Sequence, residues 1–250
     1  MTKLLNERTV ADSNSALKPM GILESTVIFG GFSILLWVAI DHGIPWIRHK
    51  WNLPLMMSWF ISGSIIALIP MILFAVSMGW RESSPSNLQM LKARLRINRP
   101  NTADALWVFA GFLLVVFFTV LVFRITRYFQ PDFLPVPPFM EVPHSGLFWI
   151  FLAWIPLFIC NIIGEELCWR GYVLPRQEAA FGRFAWLING TMWFLFHWSI
   201  GFGTMLLILP ICFVVPAIVQ RRQNTTVGIL IHGIFNAAGF IGTVTGLMQH

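Results

Sequence analysis

Long apolar stretches recur along the chain at about 22–40, 54–79, 105–123, 145–163, 184–199, 203–219 and 226–248, divided by short polar connections. Most are close to the roughly 20 residues an α-helix needs to cross about 30 Å of hydrocarbon. Strands of a membrane barrel alternate apolar and polar positions over about 10 residues, which these runs do not. In lipid, moreover, backbone polar groups must be satisfied within the segment. The pattern therefore predicts an all-α fold, a polytopic integral membrane helix bundle. It has 7–8 transmembrane helices, the eighth hidden at 132–144 or inside the long second run. Three regions follow from it: a polar tail over 1–21, an N-terminal group of membrane helices over 22–144, and a helical core over 145–250.

Composition strengthens this reading. Of 250 residues 56% are hydrophobic and 11% are charged, against about a quarter charged in soluble domains. The net charge of +6 does not indicate nucleic acid, because no stretch interleaves aromatic residues with Lys or Arg on a soluble module. The basic residues instead sit asymmetrically in the loops. Lys3, Arg8, Lys18, Arg81, Lys92, Arg94, Arg96, Arg99, Arg170, Arg176, Arg183, Arg221 and Arg222 fall in alternate connections, whereas only Arg48, Lys50, Arg124 and Arg127 fall in the others. Cytoplasmic loops carry the excess of Lys and Arg, so the N-terminus is expected in the cytoplasm. The first 20 residues lack the basic–apolar–small pattern of a cleaved signal, and the first run is expected to act as an uncleaved anchor. Cys160, Cys168 and Cys212 match no metal spacing and read as small packing residues.

Two connections have character of their own. Over 80–104, Leu88, Leu91 and Leu95 recur at helical spacing beside Lys92, Arg94 and Arg96, which predicts an amphipathic helix lying on anionic lipid. The 131–144 stretch, with Pro131, Pro135, Pro137, Pro138 and Pro143, reads as a turn-rich connector on the opposite side.

Three polar clusters interrupt the apolar runs, where ionisable groups are costly and usually functional. In Gly164-Glu165-Glu166-Leu167-Cys168-Trp169-Arg170, the i,i+4 spacing lets Glu166 pair with Arg170 and leaves Glu165 about 100° away. A plainer reading ends the helix at Ile163 with both glutamates at the interface. His197 lies among aromatics in Trp193-Phe194-Leu195-Phe196-His197-Trp198, where it could also be a core histidine bonded to a carbonyl. His232 and Asn236 share one helical face, where they could also join helices by hydrogen bonds. Their depths agree: counted from the nearest basic end, Glu165, His197, His232 and Asn236 lie at roughly 15–27 Å, at 1.5 Å per residue. The four can meet near mid-membrane, reached from the cytoplasmic side. His42, His49, His144 and His250 sit at run ends or in tails and are assigned no role.

A carboxylate, two histidines and an amide in an apolar pocket suit hydrolysis. Glu165, helped by His197, can take a proton from water. His232 and Asn236 can donate to the oxyanion that forms when water attacks a carbonyl. A zinc-dependent version is the lesser alternative, since no spacing such as H-E-x-x-H is present. A non-catalytic scaffold or immunity protein is another, and a proton-coupled transporter a third, the last without the paired broken helices it would need.

The ordered set Glu165-Glu166-x-x-x-Arg170, Trp193-x-x-x-His197 and His232-x-x-x-Asn236 resembles the CPBP family of CAAX prenyl endopeptidases and bacteriocin-processing or immunity proteins. The similarity covers about 140–248, and Arg94-Leu-Arg-Ile-Asn-Arg-Pro100 looks like the family's lead-in. It departs at Trp193, where the family usually has Phe. The resemblance implies an intramembrane endopeptidase with Glu165 as base, His197 as its partner, His232 and Asn236 as the oxyanion site, and Glu166, Arg170 and Trp193 in support. It implies no resident cofactor. The expected partners are membrane lipid and a peptide or protein substrate that can be lipidated, not nucleic acid. The expected location is a bacterial inner membrane.

Overall fold

The computed structural model of the protein describes residues 17–83, 86–133, 136–140 and 147–245, and among these the regular structure is helical, with no strand. Helix α1 runs Ile22–Trp51 and α2 runs Leu55–Arg81. The short α3 is Leu88–Arg94, and α4 is Thr102–Phe129. Helix α5 covers 147–181 in three parts: Leu147–Glu165 as α-helix, Glu166–Val173 as π-helix and Leu174–Phe181 as α-helix. Then come α6, Ala185–Phe196, α7, Phe202–Arg222, and α8, Thr225–Val244.

Six helical runs among the described residues are long and apolar enough to cross a membrane. The fourth, Trp149–Ile200, is 52 residues long and contains both α5 and α6. Gly182, at φ +55°, breaks it in a 3-10 turn. Two of the seven predicted stretches thus share one run. The possible extra helix near 132–144 is not seen in its described part, which holds a 3-10 turn at Pro138–Met140; residues 134–135 and 141–146, with His144, lie outside the described residues. Helix α5 does not stop at Ile163 but continues through both glutamates, so the interfacial reading of that motif is overturned.

Three helices widen into π segments, at Ala39–Gly43, Gly63–Leu68 and Glu166–Val173. Each is followed two residues later by a proline: Pro45, Pro70 and Pro175. A proline has no N–H for the carbonyl four residues back. Widening to the i→i+5 pattern lets the next residue serve that carbonyl instead. In α5 the consequence is functional, because the α-to-π junction falls between Glu165 and Glu166.

Helix α4 buries one stripe, Asp104, Val108, Gly111 and Val115, at spacings of four, three and four, and leaves Leu106, Phe109, Leu113 and Phe117 exposed. That is the pattern of a lipid-facing helix with one protein-facing edge.

One end of the bundle is tied by charge. Arg96 makes a bidentate pair with Glu178 at 2.8 and 2.9 Å, and Arg222 bonds Asp104 at 2.7 Å. Arg176 and Arg94 both reach Glu82. The Thr225 hydroxyl donates to the Leu95 carbonyl, and Met20 N donates to Arg176 O. These contacts join the starts of α1, α4 and α8 to the ends of α2, α5 and α7. They also correct the lipid-surface expectation for the 80–104 loop. Leu91 and Leu95 are buried against Gly79, and Leu95 against Gly171, while Arg94 and Arg96 are buried with acidic partners. The amphipathic face meets protein, because the glycines of α2 and α5 open space for it. Leu88 stays exposed.

Candidate active site

The two glutamates part at the α-to-π junction of α5. Gly164 lets α5 approach α2 there, since a Cβ at that position would stand 2.8 Å from the Leu68 carbonyl oxygen. Glu165 turns to a cavity and Glu166 to α8. Both are buried, at 2% and 0% exposure, a burial that requires hydrogen-bonding or charged partners.

Glu165 receives two donors. The Asn161 side-chain amide donates to Oε1 at 2.5 Å, and the Trp193 indole N–H donates to Oε2. His197 caps the C-terminal end of α6 and places Nε2 3.8 Å from Glu165 Oε2, too long for a direct hydrogen bond. Its Nδ1 lies 2.9 Å from the Trp193 carbonyl oxygen, so Nδ1 carries the proton that this acceptor requires. In the neutral ring the Nε2 lone pair then faces Glu165.

Glu166 holds the other half of the cluster. Its Oε1 is 2.9 Å from His232 Nδ1 and 3.4 Å from Arg170 Nη1. The fully buried Arg170 guanidinium also stacks on Trp193, 3.5 Å from the ring centroid. Asn236 donates to Asn161 Oδ1 at 2.8 Å and lies 3.2 Å from His232 Nε2. A continuous chain therefore runs Glu165–Asn161–Asn236–His232–Glu166–Arg170, and Trp193 touches both ends of it.

All seven residues singled out in the sequence thus come together, and the Glu166–Arg170 pair forms as its spacing indicated. Sequence reasoning missed Asn161. It is the one carboxamide on an otherwise apolar α5 stretch, four residues before Glu165, and that spacing was the available signal. The pairing of Glu166 with His232 joins distant helices and left no local trace.

Close packing of α8 on α5 depends on Gly228, one turn before His232. A Cβ there would overlap Glu166 Oε2 and come within 2.9 Å of Val219 Cγ2. Gly228→Ala is expected to cost about 1–3 kcal/mol from overpacking, read as a lower midpoint in thermal unfolding, and to shift Glu166 from His232.

Asn161, Glu165, Trp193, His197, His232 and Asn236 form the floor of a cavity of about 510 Å³ whose walls are mainly apolar. The walls follow α8 through Gly239 to Thr243, α5 back to Trp154 and α7 back to Thr204. The connector contributes Val136, Pro137, Phe139 and Met140, a role its proline content did not reveal. On each helix that lines it, the lining leads away from the charged end of the bundle. Towards the charged end, the π segment, buried throughout, lies beneath the floor. Among the described residues, no three His, Cys, Asp or Glu side chains are grouped to hold a metal ion.

Residues 147–238 match the model of the Rce1-like family, described as type II CAAX prenyl endopeptidase Rce1-like. The matched span holds every residue of the cluster and agrees with the resemblance drawn from the three motifs. No curated protein and no solved structure gave a significant match.

Proposed function

With the 147–238 core being that of a CAAX-type protease family as its premise, we propose that the protein is an intramembrane endopeptidase in which Glu165 activates a water molecule for attack on a peptide bond. The observation that carries this reading is the pair of acceptors on the cavity floor, Glu165 Oε2 and His197 Nε2, 3.8 Å apart. A water placed between them donates one hydrogen to each and keeps a lone pair for the carbonyl carbon. Asn161 and Trp193 fix the carboxylate by donating to it, which is the preorganisation a general base needs.

In the reaction the water oxygen bonds to the scissile carbon and its proton passes to Glu165. The carbonyl becomes an oxyanion. The proton then moves to the leaving nitrogen, the C–N bond breaks, and a carboxylate and an amine result. His232 and Asn236 line the same floor and serve the oxyanion. Because His232 Nδ1 faces Glu166, a neutral ring presents Nε2 as an acceptor, whereas a doubly protonated ring, balanced by Glu166, donates from Nε2. Donation to a developing oxyanion is commonly the largest catalytic contribution. The apolar walls suit peptides that carry a lipid or another long apolar group.

The experiment is cleavage in detergent by the purified chain, offered peptides with and without a prenyl group, with products identified by mass spectrometry. Wild type is expected to cleave, to keep cleaving after chelator treatment, and to lose cleavage on His197→Ala. No cleavage of any peptide, or equal cleavage by the variant, contradicts the proposal. Loss on chelation with recovery on added zinc favours the zinc-dependent form.

A further inference from the structure

We infer that the cavity is entered from the extracytoplasmic side of the membrane, so that its substrates are apolar or lipid-bearing peptides held in the outer leaflet. What the cavity does rests on the peptidase reading; the direction of entry rests on two observations independent of chemistry.

The first is charge. The described basic residues Arg81, Lys92, Arg94, Arg96, Arg99, Arg176, Arg183, Arg221 and Arg222 gather where α2, α5 and α7 end and α4, α6 and α8 begin, and Arg48, Lys50, Arg124 and Arg127 are left at the opposite end. Loop Lys and Arg set orientation strongly when loops are short, and this division puts the tied end in the cytoplasm.

The second is the course of the cavity. Helix α8 starts at Thr225, in contact with Leu95 at the tied end. Asn236 on the floor is then about 16 Å along the helix and Thr243 on the wall about 27 Å, at 1.5 Å per residue. The hydrocarbon is about 30 Å thick, so the floor lies near its middle and the walls reach the far interface. Helix α7 gives the same direction, since its lining residue Thr204 lies at the end remote from Arg222. The polar groups are confined to the floor while Trp154, Phe240 and Phe139 face the upper cavity. A peptide that descends from the outer leaflet therefore meets apolar wall first and the carboxylate last.

Two single cysteines test the direction. Gly239→Cys adds a side chain where nothing stands within 4 Å of the new Cβ, and Phe139→Cys places a thiol on the connector. Arg99→Cys marks the tied end. Each is expressed in a bacterial host and treated with a charged, membrane-impermeant thiol reagent, as spheroplasts and as inverted vesicles, with wild type reporting Cys160, Cys168 and Cys212. Gly239→Cys and Phe139→Cys are expected to react at least about ten times faster in spheroplasts, and Arg99→Cys in inverted vesicles. Faster reaction of both cavity cysteines in inverted vesicles overturns the inference. So does failure of both to react from either side while Arg99→Cys reacts. Labelling needs no turnover, so a protein that cleaves nothing yet labels from outside would refute the peptidase reading and leave the direction standing.

Discussion

Glu165→Gln is expected to lower the rate of peptide cleavage by about 10³-fold, within the 10²–10⁴ that a positioned general base supplies, while thermal unfolding stays close to wild type. The glutamine has the same shape and keeps an oxygen for the Trp193 indole N–H that bonds the carboxylate in the native protein. Its amide nitrogen replaces the other oxygen, next to Asn161, whose own amide can turn to present Oδ1 provided that Asn236, which donates to that oxygen in the native protein, turns with it. Packing is therefore preserved. What is lost is basicity: the oxygen bonded by Trp193 is also the one that faces His197 Nε2, and as an amide oxygen it does not accept a proton at neutral pH. Rates from purified variants, with unfolding followed on the same samples, check this. A variant that unfolds at the wild-type temperature and still cleaves at the wild-type rate would remove Glu165 from the chemistry.

Glu166→Ala is expected to act on the fold first. The Glu166 carboxylate is fully buried between two groups that need it, His232 Nδ1 at 2.9 Å and Arg170 Nη1 at 3.4 Å. Removing one member of a buried charged set leaves the others desolvated without compensation, at a cost of about 3–5 kcal/mol. Arg170 keeps its stack on Trp193, a contact worth about 2 kcal/mol or more when desolvated. That does not replace an anion. Cleavage should fall as well, since His232 loses the partner that sets its Nδ1 proton and balances its charged form. Denaturation in mixed detergent measures the stability change, and Glu166→Gln separates the two effects. The amide still accepts from Nδ1 but cannot balance a charge, so a folded, poorly active Glu166→Gln is the expected result. Loss of less than about 1 kcal/mol in Glu166→Ala, the range of ordinary exposed ion pairs, would mean that Glu166 does not bind the two helices together.

The sequence carried the membrane architecture well because lipid imposes a coarse rule: runs of sufficient apolar length must be helices. It also carried the cluster, because Glu166 with Arg170 and His232 with Asn236 obey i,i+4 spacing on single helices, and Trp193 with His197 does the same. Long-range pairings did not show. Nothing in the local pattern says that Glu166 serves His232, 66 residues on, nor that Trp193 donates to Glu165, 28 residues before it. The departure at position 193 matters here, because an indole offers a hydrogen-bond donor where Phe would offer none.

One misreading came from the choice of what an apolar face would meet. The face that carries Leu91 and Leu95, on α3 and just past its end, was matched to lipid, but it packs on Gly79 and Gly171, and an amphipathic pattern alone does not distinguish those surfaces. Depth alone placed the cluster near mid-membrane, but it counts residues without telling which way the side-chain lining runs. The π segments were legible after the fact: Pro45, Pro70 and Pro175 each follow one by two residues. Pro156, Pro210 and Pro216 lie within helices and carry none, so the signal was suggestive without being sufficient.

Direct attack by an activated water is the central claim, and a single turnover in ¹⁸O-labelled water, with enzyme in excess and samples quenched in denaturant at successive times, tests it most directly. Mass spectra of peptide and protein are read together. Water attack predicts one ¹⁸O in the new carboxylate and a protein mass unchanged at every time point. A transient peptidyl adduct on the protein, at Cys168 or any other side chain, would contradict it.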